Sequence, residues 1–445
     1  MGDTLHPIDE PGLMRCFIRA LSLLLLAPLL LIGQQEESYF DPDYVRMNDR
    51  NHDPAIGSVL FEKTGEPMSE AIVTLGSTQT LTLRFDLLEE EVRSLSYRII
   101  HCSYDWTPSV LSENDYIQGF FTDQISDMKH SLSTWIPYWH YELVFPNEQM
   151  RPSISGNYIL SIFDQGDPDK VILSRRFRVV EEKCSIVPTI HRATAIELRN
   201  SHQEVDFMVD ITGLRLANPY RELMVEIIQN GDHQHSIKNL KPLFVNGNTV
   251  DYNYEEGNLF EGGSEYRFLD IRTTRFLTGS LSYFEPALGA QPMQAHLKAE
   301  TRTSTQRYSS SEDLNGKFIH TIYEGRNAHL EADYLMVHFK LKSLPDFSEN
   351  PVFVQGKLTD NRIEKPFRMT YNQDSACFEL KLLLKQGLYN YRYVTSDSSG
   401  NPNTLETEGS HQETENQYEI LVFLREPVGR YDRLIGYRVT RTGRP

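Results

Sequence analysis

Apolar and polar residues alternate along most of the patterned segments of this chain. In Leu81-Thr82-Leu83-Arg84-Phe85 the apolar side chains would point to one face of an extended strand and the polar ones to the other. The same period recurs, with Gly, Pro, Asn and Asp between segments, at 96–100, 141–145, 158–163, 177–180, 205–211, 224–228, 266–271, 336–341, 352–354, 378–384, 388–394 and 418–423. No segment keeps a helical period beyond a few turns, which disfavours α/β enzyme architectures. The sequence predicts an all-β protein of tandem immunoglobulin-like β-sandwich domains.

The length of 445 residues suggests about three domains, or about four if they are small sandwiches. Boundaries are expected where the strand pattern lapses, as at Glu181-Glu182-Lys183 and at Leu344-Pro345. The last 21 residues hold six arginines against one glutamate and one aspartate, which indicates a basic tail. We therefore expect a first sandwich at 38–182, a second sandwich region at 183–343, a third sandwich at 344–430 and a basic tail at 431–445.

One apolar run, residues 20–32, is typical of the hydrophobic region of a signal peptide. Arg15 and Arg19 precede it, and Gly33 is a small residue at the expected cleavage site. The run is too short to span a bilayer as a helix. The sequence predicts a cleaved signal peptide at 1–33, with Met1 and Met14 both open as the start, and an exported chain that does not cross the membrane.

The charge of the chain excludes several classes of partner. It carries 44 Lys and Arg against 62 Asp and Glu, a formal net charge of −18, which repels nucleic acid and anionic lipid surfaces. No phosphate-binding, dinucleotide-binding or nucleophile-elbow motif occurs, so no enzyme activity, no cofactor and no small-molecule ligand are expected.

A metal site was weighed for three alternating residues. His202, Glu204 and Asp206 would project from one face of a strand. Because Val205 and Phe207 fill the opposite, core-facing positions, a solvated or interface face is the preferred interpretation, and no metal is expected. Three cysteines follow the signal peptide, Cys102, Cys184 and Cys377, and their apolar strand context predicts buried small hydrophobes.

Aromatic residues concentrate in the first domain. All three tryptophans, Trp106, Trp135 and Trp139, lie there, and Tyr104 stands in the polar turn that precedes the first of them. Aromatics beside polar turns anchor protein interfaces or stack on sugars, but they also close the ends of sandwiches. Both interpretations stay open, and these four residues are the candidate partner-binding set.

Several phrases along the chain are specific when taken together. They are Tyr97-Arg98-Ile99-Ile100-His101-Cys102 with Asp105-Trp106, Ser112-Glu113-Asn114-Asp115-Tyr116, Phe145-Pro146-Asn147-Glu148, His202-Gln203-Glu204-Val205-Asp206-Phe207, Gln229-Asn230-Gly231, Asn258-Leu259-Phe260-Glu261-Gly262-Gly263, Asp313-Leu314-Asn315-Gly316, Glu331-Ala332-Asp333-Tyr334, Leu383-Leu384-Lys385-Gln386-Gly387 and Glu408-Gly409-Ser410-His411. This set resembles the type IX secretion system plug protein family of Bacteroidota. The resemblance implies a non-enzymatic periplasmic protein that associates with the outer membrane by binding the translocon barrel, whose periplasmic opening it closes in the absence of cargo.

The third sandwich also resembles an early-set glycogen-binding module. The likeness rests on Val352-Phe353-Val354-Gln355-Gly356-Lys357-Leu358, Met369 and Gly387-Leu388-Tyr389-Asn390-Tyr391-Arg392-Tyr393. In that family a Trp five residues after the Gly commonly stacks on glucose, and here Asn361 occupies the position. We therefore expect a likeness of fold alone. A periplasmic or surface glycan-binding protein is the alternative function, and a hydrolase built from scattered acids is a third class.

Overall fold

Strands dominate the structure, as the alternating pattern predicts. The computed structural model describes residues 2, 47–289, 291–342, 350–396, 400–425 and 430–443. The expected signal peptide at 1–33 lies outside these residues, apart from residue 2. Met47–Pro445 form one compact unit that is nearly all β, and this confirms the predicted fold class.

The first sandwich is built from two facing sheets. Its elements are β1 (Arg50–Asn51), β2 (Ile56–Lys63), β3 (Ile72–Thr74), β4 (Leu81–Leu87), β5 (Leu95–Cys102), α1 (Glu113–Tyr116), β6 (Ile117–Gly119), β7 (Asp123–Gln124), β8 (Asp127–His130), β9 (Trp139–Phe145), β10 (Met150–Pro152), β11 (Gly156–Asp164) and β12 (Val171–Val180). One sheet has the order β1-β12-β11-β5-β7, with β3 parallel to β12, and the other has the order β2-β4-β9-β8.

Aromatic rings fill the space between these two sheets. Phe85 stacks on Tyr141 at 5.1 Å between ring centroids, and Phe177 lies 5.3 Å from Phe145 and 5.1 Å from Tyr158. These side chains come from alternating positions of β4, β9, β11 and β12, as a period of two requires. Asp86, on the polar face of β4, is also buried, because the third sandwich covers that face.

The second and third sandwiches interleave along the chain. The second begins with β13 (Ser185–Arg192), β14 (His202–Asp210), α2 (Pro219–Glu222), β15 (Leu223–Gln229), β16 (Ile237–Lys238), β17 (Phe244–Asn246), β18 (Thr249–Asp251) and β19 (Leu259–Glu261). The third comprises β20 (Arg267–Asp270), β21 (Leu281–Glu285), β22 (Gln294–Leu297), β23 (Phe318–Ile319), α3 (Ala328–Glu331), β24 (Tyr334–Lys342), β25 (Val352–Gln355), the 3₁₀ turns Lys357–Thr359 and Lys365–Phe367, β26 (Thr370–Asn372), β27 (Cys377–Lys385), β28 (Leu388–Ser396) and β29 (Pro402–Asn403). The chain then returns to the second sandwich with β30 (Gln417–Leu424) and β31 (Arg433–Arg441).

Each of these two sandwiches again has two facing layers. In the second, the sheet β13-β14-β18-β17, with β19 beside β14, faces the sheet β16-β15-β30-β31. In the third, β28 pairs with β20, β23, β25 and β29, and this layer faces the sheet β21-β22-β24-β27-β26. Val205 and Phe207 of β14 pack in one core with Ile420 and Val422 of β30.

The strand pairing divides the chain differently from the expected boundaries. The boundary near 183 falls between β12 and β13. The boundary at 343/344, however, passes through the third sandwich, because β24 pairs along its whole length with β27. A loop within a sandwich interrupts the strand pattern of the sequence in the same way as a linker between domains does. The expected division at 343/344 is therefore wrong, and the third sandwich is inserted into the second.

The expected basic tail is also corrected. Most of 431–445 is β31, which pairs with β30 and forms the edge of its sheet. Arg438, Val439 and Arg441 are exposed there, whereas Leu434 and Ile435 are buried. Only the first half of β31 contacts the core. The exposed arginines in its second half interrupt the apolar–polar alternation by which a strand is recognised in sequence.

Truncation after Gly436 tests the insertion. It removes the pairing of Tyr437–Arg441 with β30, a ladder whose hydrogen bonds contribute about 0.5–1.5 kcal/mol each. We expect the melting temperature to fall by about 5–10 °C in calorimetry. Truncation after Gly443 is the control and leaves the melting temperature unchanged. Identical melting of both variants would contradict the assignment of β31.

Candidate functional site

The structure does not bring the four candidate aromatics together. Tyr104 and Trp106 lie on the side of the first sandwich that contacts the second, whereas Trp135 and Trp139 lie at the β8–β9 hairpin. Only Trp135 is largely exposed, at 65%. The four residues therefore need separate descriptions.

Tyr104 is part of the junction between the first and second sandwiches. Its hydroxyl donates to Val225 O at 2.7 Å and accepts from Asn239 N at 3.0 Å. Its own amide donates to Asp432 Oδ2 at 2.9 Å. The ring packs edge-on against Phe423, with 5.0 Å between centroids. Tyr104 therefore holds the first and second sandwiches together through contacts within the protein.

Trp106 is buried against arginines of the first sandwich. Arg176 Cζ lies 4.2 Å and Arg178 Cζ 5.1 Å from its ring centroid, which are cation–π contacts. Cys102 and Ile159 pack against the same ring cluster. Trp139 is half-buried, and its Nε1 donates to Glu90 O at 3.1 Å. Burial removes Trp106 from any partner surface of the folded protein and leaves part of Trp139 accessible.

Trp135 stands in the loop that joins β8 to β9, and its backbone is fixed by the third sandwich. Trp135 N donates to Asp333 Oδ1 at 2.6 Å, and Leu132 N donates to Leu330 O at 2.7 Å. Tyr138 donates its hydroxyl to Ala332 O at 3.0 Å. The loop backbone is therefore held on both sides while the Trp135 side chain extends into solvent. An anchored loop loses little entropy when its side chains bind.

Two further apolar side chains are exposed beside Trp135 in the chain. Leu132 is 53% exposed in the same loop, and Met128 is 38% exposed in β8. β8 pairs only with β9 among the described strands, so its outer edge is unpaired. We call Met128, Leu132 and Trp135, with the β8 edge, the Trp135 face. Leu132 and Met128 are not among the residues predicted from the sequence, although an apolar residue in the polar turn Ser131-Leu132-Ser133-Thr134 is a visible signal.

A buried ion pair lies behind this face, between the first and third sandwiches. Lys385 Nζ donates to Asp86 Oδ2 at 2.7 Å and to His329 O at 2.7 Å. Tyr334 donates its hydroxyl to the same carboxylate at 2.7 Å, and His140 Nδ1 lies 2.7 Å from Asp86 Oδ1. Burial alone would raise the pKa of Asp86, but Lys385 and His140 hold it below its ordinary value.

Close contacts surround this pair on both sides. Lys385 Nζ lies 4.1 Å from the ring centroid of Tyr138. Ser58 N donates to the Tyr334 hydroxyl at 2.8 Å. A Cβ at Gly57 would collide with that hydroxyl, so the close approach requires glycine. The Asp86 carboxylate therefore fixes the third sandwich on the first.

A second buried ion pair joins the first sandwich to the second. Arg178 Nη2 donates to Glu226 Oε2 at 3.0 Å, and both side chains are buried. Ser236 Oγ donates to the other carboxylate oxygen at 2.8 Å. Burial would raise the pKa of Glu226, and Arg178 lowers it below its usual range.

A small charged cavity lies where the three sandwiches meet. Its lining includes Glu70 and Arg178 of the first, His233 of the second, and Lys317 and Lys357 of the third. About 70 Å³ is open to the centres of water molecules, which is room for a few waters. Lys317 Nζ lies 2.7 Å from Glu70 Oε1. Lys317 and Glu70 of the lining pair with one another across the boundary between the third and first sandwiches, so the cavity is part of the joint between domains.

Glu419 of β30 lies near this joint, and its pKa is shifted in the opposite direction from that of Glu70. It is fully buried, and Oε2 accepts from the Tyr437 hydroxyl at 3.1 Å. Burial raises its pKa to about 8, and Glu70 adds to the effect. Glu70 itself has a pKa lowered to about 2, because Lys317 overcomes the effect of burial. The raised pKa favours the protonated form of Glu419.

The other sequence candidates occupy structural positions. Asn361, at the place of the sugar-stacking Trp, is buried and donates to Gly231 O at 3.4 Å. Cys102 and Cys377 are buried and Cys184 is half-buried. Burial raises the pKa of Cys102 and of Cys184 to about 12, which disfavours the thiolate. No helix in the described part of the chain is long and apolar enough to cross a membrane.

Comparison with known proteins assigns the first sandwich. Residues 56–181 match the family model described as the type 9 secretion system plug protein 1st domain. The first sandwich is a plug protein first domain. The match confirms the family resemblance found in the sequence and indicates a role related to type 9 secretion.

One solved structure is similar over most of the chain. It is the crystal structure of a hypothetical protein from Parabacteroides merdae, with a TM-score of 0.85 and 29% identity over 90% of this chain and 100% of that chain. The arrangement of the three sandwiches is therefore shared with that structure. No curated protein matches this chain.

Lys385→Met tests the junction behind the Trp135 face. It leaves Asp86 buried without its cation, and we expect a loss of about 3–5 kcal/mol in the free energy of unfolding, measured by urea denaturation. Asp86→Asn combined with Lys385→Met should recover part of that loss. Lys129→Met, which breaks an exposed pair with Asp127, is the control and leaves stability unchanged. Equal stability of Lys385→Met and the wild type would contradict the junction.

Glu419→Gln tests the protonated carboxyl. Since the pKa of Glu419 is raised on folding, the folded state holds a proton that the unfolded chain releases above pH 4.5. The wild type therefore loses stability as pH rises from 4.5 to about 8 relative to the variant. Melting curves across this range should show a difference that widens with pH and then levels. A constant difference would contradict the assignment.

Proposed function

We propose that this chain is a non-enzymatic plug of the periplasm. It binds the outer-membrane translocon barrel of the type 9 secretion system and closes its periplasmic opening when no cargo is in transit. The observation that carries the proposal is the match of residues 56–181 to the plug protein first domain. Attachment to the outer membrane is through this partner.

The junctions support a role that needs a stiff body. A plug closes an opening by occupying it, so its domains must not move apart under the load of binding. The buried pairs Asp86–Lys385 and Arg178–Glu226 join the first sandwich to the third and to the second. Separating either pair leaves a charged group without its partner, which costs free energy. The three sandwiches therefore act as one unit.

The Trp135 face has the features of a contact surface. Tryptophan is enriched among residues that dominate binding energy, and Trp135 presents its ring from a fixed backbone. The unpaired edge of β8 can accept a strand from a partner through backbone hydrogen bonds. We assign the first contact with the barrel to this face, and retain Trp139 at its border. Tyr104 and Trp106 act indirectly, by fixing the second sandwich and the sheet behind it.

Glycan binding is the second candidate, favoured by an exposed aromatic pair in the third sandwich. Phe276 and Tyr323 are 55% and 52% exposed, and their rings stack with 6.1 Å between centroids. Arg272 Cζ lies 4.5 Å from the Tyr323 ring. Such a platform could stack on a sugar. It lies outside the part of the chain that matches the plug domain.

Co-purification of the tagged protein from native outer membranes separates these functions. The wild type should recover the translocon barrel, and Trp135→Ala should weaken binding about 30-fold, as expected for a residue worth about 2 kcal/mol. Phe276→Ala is the matched control, an exposed aromatic that should leave barrel binding unchanged. Unaltered melting of both variants shows that the fold is intact.

One outcome would overturn the plug function, and another would correct only its contact surface. Recovery of a polysaccharide, lost in Phe276→Ala and kept in Trp135→Ala, would favour the glycan-binding candidate. Barrel binding that is unaffected by Trp135→Ala combined with Leu132→Ser would keep the plug function and remove the Trp135 face from it.

A further inference from the structure

Three side chains of the second sandwich converge on one point at the face of its outer sheet. In the register of β13 and β14, His191 is directly opposite Glu204, and Asp206 lies two residues further along the same face. His191 Nε2 is 2.8 Å from Asp206 Oδ2 and 3.9 Å from Glu204 Oε1. One nitrogen and one oxygen from each carboxylate thus lie within 4.8 Å of one another.

The other polar atom of each group is already held by a neighbour. His191 Nδ1 lies 2.8 Å from Arg192 O, which leaves Nε2 for the convergence point. Asp206 Oδ1 accepts from Asn258 Nδ2 at 2.8 Å. Glu204 Oε2 accepts from Thr194 N at 2.7 Å, and the Thr194 hydroxyl donates to Oε1 at 3.3 Å. Outer hydrogen bonds that orient each ligand in this way are typical of protein metal sites.

The charge of this cluster is unbalanced. Glu204 and Asp206 are both buried, and no lysine or arginine within the described residues lies within 4 Å of either carboxylate. A protonated His191 balances one of the two negative charges and leaves the other. A nearby cation stabilises buried carboxylates, and a divalent ion would supply two positive charges at this point. His191 is 38% exposed on its side chain, so an ion has a route from solvent.

We propose that His191, Glu204 and Asp206 form a binding site for a divalent transition-metal ion of the zinc type. An imidazole nitrogen with two carboxylate oxygens is a ligand set that Zn²⁺ accepts. Ligand atoms around tetrahedral zinc stand about 3.3 Å apart, for bonds of about 2.0–2.1 Å, and the distances in the cluster span this value. The ion would take the place of the proton shared by His191 Nε2 and Asp206 Oδ2, and water would complete its coordination.

This site corrects one residue of the set weighed from the sequence. His202 lies on β14 with Glu204 and Asp206 but is not in the cluster, and its Nδ1 is 2.8 Å from Ser201 Oγ. The third ligand comes instead from the neighbouring strand, through pairing that the sequence does not display. A metal ion bound there would link the edge strand β13 to β14. This site is separate from the Trp135 face and does not depend on the proposed function of that face.

Zn²⁺ titration of the chelator-treated full-length protein tests the site. At pH 7.5 in the presence of a competing chromogenic chelator, the wild type should bind one equivalent, and its melting temperature should rise with added Zn²⁺. Glu204→Gln, which keeps the size of the side chain, and His191→Ala should each weaken binding at least 10-fold and lose the metal-dependent rise. Co²⁺ absorbance on the wild type should show a tetrahedral or five-coordinate spectrum.

His202→Ala is the matched control, since it removes a histidine of the same strand outside the cluster. It should bind Zn²⁺ as the wild type does. If the wild type binds no stoichiometric Zn²⁺, the proposal is wrong. His191 and the two carboxylates would then interact only with one another. Equal loss in His202→Ala, or none in His191→Ala, would place the metal elsewhere and overturn it as well.

Discussion

The arrangement of the three sandwiches depends on charges buried between them. Asp86 and Lys385 are both almost completely buried and meet at 2.7 Å, and Arg178 and Glu226 meet at 3.0 Å. Such pairs add little net stability, because desolvation offsets their attraction, but a displaced partner leaves a buried charge. They therefore restrict the domains to one relative position. Asp86 and Arg178 both belong to the first sandwich, so this domain sets the position of the other two.

The same junction determines which aromatics reach the surface. The loop before β9 is held by Asp333 and Leu330 of the third sandwich, and Trp135 projects from it. Tyr104, in contrast, is buried in the contact with the second sandwich. The proposed plug function needs a stiff body with an exposed anchor, and both properties follow from how the first sandwich is packed. The domain that matches the plug family is thus also the one that organises the molecule.

Local alternation was enough to predict the strands, but pairing between distant strands was not visible in it. The segments 205–211, 378–384 and 418–423 are strands as expected, because one face of each meets a core. The insertion of the third sandwich depends on β30 pairing with β15, nearly 200 residues earlier in the chain, and β31 was hidden by exposed arginines. For the candidate site, no local pattern distinguishes the buried Trp106 from the exposed Trp135. Likewise, His191 joins Glu204 and Asp206 only through the register of two strands.

The most direct test of this account is a cryo-electron microscopy map of the translocon purified from native membranes with the chain bound. We predict that the three-sandwich body fills the periplasmic opening of the barrel with its domains arranged as described, and that the loop carrying Trp135 contacts the barrel. A map with the body absent from that opening, or with the sandwiches separated from one another at the Asp86–Lys385 junction, would contradict it.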